Sequence, residues 1–136
     1  MNLKGTQTEK NLWIAFAGES QARNKYRFYG KKAEAEGYTE IAKVFQDTAN
    51  QEEQHAAGIL KYLNVIQDTL TNLRRAAEGE HYETATLYKE YERVAREEGF
   101  DEIADYFRGL RIVEAEHERV YLSLMQKLKE ELKETK

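Results

Sequence analysis

The residues of this chain best suited to chemistry are two Glu-x-x-His pairs, Glu52 with His55 and Glu114 with His117. On a helix, residues three apart leave the same face about one turn from each other, so both side chains of a pair reach one centre. Glu80 and Glu83 repeat that spacing with two carboxylates, and Glu19 adds a fifth carboxylate. A carboxylate can bridge two ions, whereas an imidazole ligates one. An oxygen-rich set with one nitrogen per metal suits iron or manganese. A single Glu-x-x-His is common on solvated helix faces. Two of them at matching positions, both set among apolar residues, point to a pair of metal ions.

These side chains need helices to aim them, and the apolar pattern is helical throughout. Helix A is expected from about Thr8 to about Glu36, with Gly37 able to end it. Helix B starts near Thr39 and passes Leu63. Helix C covers roughly Glu80 to Glu98 before Gly99, with Val65 to Ala77 as a separate amphipathic crossover. Helix D starts near Asp101, a reasonable N-cap, and runs almost to the end. Short A-B and C-D turns make each pair an antiparallel hairpin, over about residues 8–66 and 78–133. The expected fold is all-α: one ferritin-like four-helix domain over 1–136, made of two repeated hairpins.

The repeat is legible directly. Ala33 to His55 aligns with Ala95 to His117 at an offset of 62, pairing Gly37 with Gly99, Phe45 with Phe107, Glu52 with Glu114 and His55 with His117. The duplication carries polar residues into the stripes that should face a core. In helix A that stripe is Leu12, Ala15, Glu19, Ala22, Tyr26, Tyr29 and Ala33, with Arg23 expected to lie off it. In helix B it includes Ile41, Phe45, Glu52, His55, Ile59, Tyr62 and Ile66, and in helix D Ile103, Phe107, Glu114, His117, Tyr121 and Leu124. An ionised carboxylate in such a place is costly unless paired or metal-bound. Two divalent ions would cancel four of the five charges. A structural bundle whose inward polar residues only set helix register is the bland alternative. The tyrosines are first of all packing residues, with Tyr26 and Tyr88 candidates to hydrogen-bond the carboxylates. His81 points away from the stripe.

Composition narrows the field further. With 21 basic and 25 acidic residues mixed along the chain, nothing suggests a nucleic-acid partner. There is no cysteine, which excludes a disulfide framework, a thiolate metal site and a cysteine nucleophile. There is no proline either, and the eight glycines are dispersed, against a β-rich fold. The polar start, Met1 to Thr8, has no apolar run, so neither a signal peptide nor a membrane helix is expected, and the cytoplasm is the expected location.

Five segments together resemble the rubrerythrin family, specifically its ferritin-like di-iron domain: Thr8-Glu-Lys-Asn, Ala15-Phe-Ala-Gly-Glu-Ser-Gln-Ala-Arg-Asn24, Thr48-Ala-Asn-Gln-Glu-Glu-Gln-His-Ala56, Gly79-Glu-His-Tyr-Glu83 and Ala95-Arg-Glu-Glu-Gly99. The resemblance implies two iron ions, for which zinc or manganese can substitute. It implies Glu52 and Glu114 as bridging carboxylates, Glu19 as a terminal ligand of one iron, and Glu80 with His117 as terminal ligands of the other. His55 and Glu83 are implied as alternative ligands of the first iron, in its reduced and oxidised states respectively. Tyr26 and Tyr88 match tyrosines beside the cluster. The implied activity is reduction of hydrogen peroxide to water with electrons from an external donor such as rubredoxin or a reductase. Binding or oxidation of ferrous iron without peroxidase turnover is the second functional expectation.

Two departures accompany the resemblance. Typical members carry a rubredoxin domain with four cysteine ligands, whereas this sequence has no cysteine and is similar to the shorter members without that domain. The B-to-C connection is also short, with His55 and Glu80 only 25 positions apart. The expected assembly is therefore a homodimer in which the A-B hairpin of one chain packs on the C-D hairpin of the other.

Overall fold

A computed structural model describes residues 2–134, and among these every regular element is helical. The elements are α1 (Gln7–Ala35), α2 (Thr39–Leu63), α3 (Thr69–Tyr82), a π-helical turn (Glu83–Leu87), α4 (Tyr88–Glu97) and α5 (Asp101–Glu134). The chain divides into two compact units, one up to Ile66 and one from Gln67. The first is the hairpin α1–α2, and the second is α3, the π turn and α4 packed along α5.

Local chemistry sets the ends of these helices. Thr6 caps α1 by accepting from the Glu9 N–H at 3.0 Å. After α1, Gly37 takes φ +86° and Tyr38 N–H returns to the Ala33 carbonyl at 2.9 Å; after α4, Gly99 takes the same φ and Phe100 N–H returns to Ala95 at 2.8 Å. These are Schellman caps, which need a left-handed residue that glycine adopts at no steric cost. Both hairpin turns therefore fall where the two glycines announce them.

The start of the third helix differs from the sequence-based expectation. No separate crossover helix spans 65–77, and the helix does not begin at Glu80. Instead α2 stops on Asn64, left-handed at φ 54°, and α3 begins at Thr69. Asp68 accepts from the Thr71 N–H at 3.2 Å and the Thr71 hydroxyl at 2.6 Å. Asn72 and Gln67 exchange two hydrogen bonds of 2.9 Å. With the entry so capped and no proline before Glu97, what reads as a crossover is the first three turns of the same helix.

Each hairpin is sewn by small residues at 3-4 spacing. In α2 the least exposed positions are Ala42, Phe45, Ala49, Glu52, Ala56, Ile59 and Leu63, and in α1 they include Leu12, Phe16, Glu19, Arg23, Tyr26, Gly30 and Ala33. Arg23 is thus on the seam rather than off it, half-buried, with its guanidinium 3.6 Å from Glu53. The long aliphatic stem packs while the head escapes to the edge. The repeat also preserves an aromatic trio: Tyr26 and Tyr29 pack on Phe45 at 6.0 and 5.6 Å, and Tyr88 and Tyr91 pack on Phe107 at 6.0 and 5.5 Å.

The apolar residues buried among those described are all alanines, and no large side chain is fully buried. Tyr29, Ile41, Tyr62 and Ile66, assigned to the inward stripe, are about half exposed or more, as are Ile103 and Leu124 to a lesser extent. The two-helix seam uses one side of each stripe and leaves the other open. Because the seam is packed on alanines, enlarging one should break it. Ala49→Leu, at a site with no exposed surface, is expected to lower stability by about 1–3 kcal/mol in urea unfolding.

Candidate metal centre

Each hairpin gathers one triad of candidate ligands. In the first, His55 Nδ1 lies 3.5 Å from Glu19 Oε2 and 3.5 Å from Glu52 Oε2. In the second, His117 Nδ1 lies 3.4 Å from Glu80 Oε1 and 3.5 Å from Glu114 Oε2. These gaps are too long for strong hydrogen bonds. They match the roughly 3.4 Å separation of donors arranged tetrahedrally about 2.1 Å from a shared centre. The carboxylates are mostly buried, whereas His55 and His117 are about half exposed on the open side of their hairpins. Glu19 and Glu52 come from α1 and α2; Glu80 and Glu114 come from α3 and α5.

The second triad carries an additional carboxylate. Glu80 and Glu83 both hydrogen-bond Glu114. Burial, then the hydrogen bond and charge of Glu114, push the Glu80 carboxyl up to about 7. Glu83 is also pushed up, by burial first and Glu114 next. Glu114 moves down, because the protonated Glu80 donates to it. Tyr88 sits beside this group, and burial together with the charges of Glu83 and Glu114 holds its phenol protonated. Three carboxylates this close cannot all ionise without a cation among them. One oxygen, Glu80 Oε2, is buried with no hydrogen-bond partner. An orphaned carboxylate oxygen, carboxylates sharing a proton and an imidazole turned toward them form a donor set that fits a divalent ion of the iron or manganese kind.

Glu83 owes its place to a feature that sequence periodicity did not announce. It opens the π turn, in which Tyr88 N–H donates to the Glu83 carbonyl, five residues back. A π turn is a one-residue insertion into an α-helix and recurs at functional sites. The repeat contains its signature. Tyr26 and Tyr88 are 62 apart, as are the residues after them, but Gly18-Glu19 and Gly79-Glu80 are 61 apart. Seven residues of α-helix separate Glu19 from Tyr26, which brings them to within about 20° on one face. Eight residues separate Glu80 from Tyr88 and would place them about 80° apart without the wider turn. The insertion lets both ends of the helix face α5.

His81 behaves as a surface residue, as its position suggests, and pairs with Glu118 at 2.9 Å. Tyr26 belongs to the aromatic trio of the first hairpin. No helix among the described residues is long and apolar enough to cross a membrane.

Repeated helical hairpins, each with an inward Glu and a Glu-x-x-His, define the ferritin-like carboxylate class. The family model described as Rubrerythrin matches residues 10–125. The chain belongs to the rubrerythrin family, and so to di-iron proteins of the oxidative-stress type. It is 41% identical to rubrerythrin of Nitratidesulfovibrio vulgaris, over 95% of this chain and 74% of that protein. It is 47% identical to rubrerythrin of Porphyromonas gingivalis, over 91% of this chain and 68% of that protein. A solved structure of nigerythrin in a mixed-valent state aligns with TM-score 0.46 and 30% identity, covering 91% of this chain and 68% of that one.

The shared proton has a consequence for stability. The folded-state value of Glu80 lies above the ordinary 4.5, so folding takes up a proton between about pH 4.5 and 7. That contribution is fully present below pH 4.5 and is lost as pH rises toward 7. Chelator-treated protein should therefore lose stability across this window in urea unfolding, and Glu80→Gln should flatten the slope.

Proposed function

We propose that the protein is a non-haem di-iron peroxidase that reduces hydrogen peroxide to water with electrons from an external donor. The observation that carries the proposal is the repetition of one triad, His Nδ1 at 3.4–3.5 Å from two carboxylates, in both hairpins. Residues that would hold the metals are Glu19, Glu52 and His55 from the first hairpin, and Glu80, Glu83, Glu114 and His117 from the second. Two bound iron ions would supply the two electrons that cleave the O–O bond of peroxide.

The chain's own residues divide the remaining work. Glu52 and Glu114, the most central acid of each hairpin, suit bridging positions. Glu80 gives up its proton when a cation takes the place of that proton among the carboxylates. Such a proton, and those of Glu83 and the Tyr88 phenol, lie where the reduction consumes them: one peroxide takes two electrons and two protons and leaves as two waters. His55 and Glu83 are assigned as alternative ligands of one metal, a neutral donor for the lower charge state and an anionic one for the higher. His55→Ala should then leave oxidised metal binding largely intact and weaken binding of ferrous iron. Equal losses in both states would count against the exchange.

Each hairpin holds half of the ligand set, and the open side of its stripe bears the histidine. The proposal therefore needs one hairpin of each kind, and we assign them to two chains of a homodimer. Co-refolding a variant lacking Glu52 and His55 with one lacking Glu114 and His117 should regenerate one intact site per dimer. No recovery of metal binding would reject the exchange of hairpins.

The activity itself is tested by anaerobic loading with ferrous iron and stopped-flow mixing with peroxide or oxygen. Oxidation by peroxide should outpace oxidation by oxygen by at least about tenfold, the ordinary reach of a positioned proton donor or more. A faster reaction with oxygen would identify an iron-binding and iron-oxidising protein instead.

A further inference from the structure

The second hairpin contains a polar construction for which the first has no equivalent. Arg111, on α5, is two-thirds buried, and its guanidinium serves two acceptors. Nε donates to the backbone carbonyl of Thr84 at 3.2 Å, and Nη1 donates to Glu92 Oε1 at 3.1 Å. Glu92 is itself largely buried, with its other oxygen 3.6 Å from Arg96.

Thr84 lies inside the π turn. In an uninterrupted α-helix its carbonyl would accept from the N–H of Tyr88, four residues on. Here that N–H goes to the Glu83 carbonyl. An inserted residue brings one carbonyl more than the helix has donors for, and a part-buried carbonyl left alone is unfavourable. Arg111 supplies the missing donor, and a charged donor makes the stronger bond.

The first hairpin acts as an internal control. At the repeat offset of 62, Arg111 corresponds to Ala49 and Glu92 to Gly30, both buried. There α1 runs without interruption from Gln7 to Ala35. The arginine and its glutamate stand only in the hairpin whose helix carries the extra residue.

We infer that Arg111, held by Glu92, is a positioning residue for Glu83. It takes up the carbonyl that the π turn releases and fixes the register in which Glu80 and Glu83 before the turn, and Tyr88 after it, all face α5. The role of the clamp in metal binding rests on the proposed assignment of Glu83 as a ligand. Its role in the helix does not.

Hydrogen exchange by mass spectrometry on the metal-free protein separates the two. Arg111→Ala should raise exchange over residues 85–89 by about 10-fold or more, the loss expected for a charge-assisted bond. Arg111→Lys should fall between that variant and wild type, and exchange in α1 and α2 should not change. Should Arg111→Ala fail to fold, Glu92→Gln, which loosens the guanidinium without removing it, should raise exchange over the same residues to a smaller extent. In protein loaded with ferrous iron and then oxidised with peroxide, Arg111→Ala should reproduce the altered ferric absorption of Glu83→Gln. Unchanged exchange over 85–89 in the folded variants overturns the inference, as does a wild-type ferric spectrum in Arg111→Ala. Wild-type protein that takes up no iron would defeat the proposed centre, while the exchange result would still decide the clamp.

Discussion

Carboxylates set inside the seams of helical hairpins are the constraint on which the rest of this structure depends. Glu19, Glu52, Glu80 and Glu114 occupy positions that in an ordinary coiled coil would be leucine. Their charges cannot be buried free, and the protein's responses are visible. Glu80 keeps a proton to near neutral pH, Glu114 accepts a hydrogen bond from it, and each histidine turns Nδ1 toward two carboxylates. Metal-free protein thus carries a strain that a pair of cations would remove, which couples metal binding to folding and to proton release.

The packing around these acids is correspondingly modest. Alanines rather than large side chains fill the seams, so the helices approach closely but bury little apolar area per hairpin. Leucine, isoleucine and tyrosine side chains remain on the open side of each stripe, beside the histidines. A hairpin built this way is a half-site in both senses, short of ligands and short of core. Association with a complementary hairpin would meet both needs on one surface.

The two halves are copies, yet they are not equivalent. The second has an inserted residue, a π turn, an extra carboxylate and a buried Arg111–Glu92 pair where the first has Ala49 and Gly30. A duplicated hairpin gives two identical sets of ligands. An asymmetric one gives two metal positions with different surroundings, which a site that must change oxidation state can use. Here the asymmetry is concentrated in five residues of one helix and the polar groups that support them.

Much of this was legible in the residues themselves. Spacing of three between Glu and His, recurring at an offset of 62, named six of the seven candidate ligands through local helix geometry alone, and glycines at 37 and 99 marked both hairpin turns. Such features depend on neighbours within a turn or two, and the sequence by itself determines them. Tertiary structure decided the rest. It placed Arg23 on a seam, because a helix face is defined only by what packs against it. It extended the third helix back to Thr69, because Asp68 and Asn72 cap an end that hydrophobic periodicity leaves ambiguous. And it opened the π turn at Glu83, since an insertion into a helix shows its rotation only when α5, with Arg111, holds both sides of it to one face.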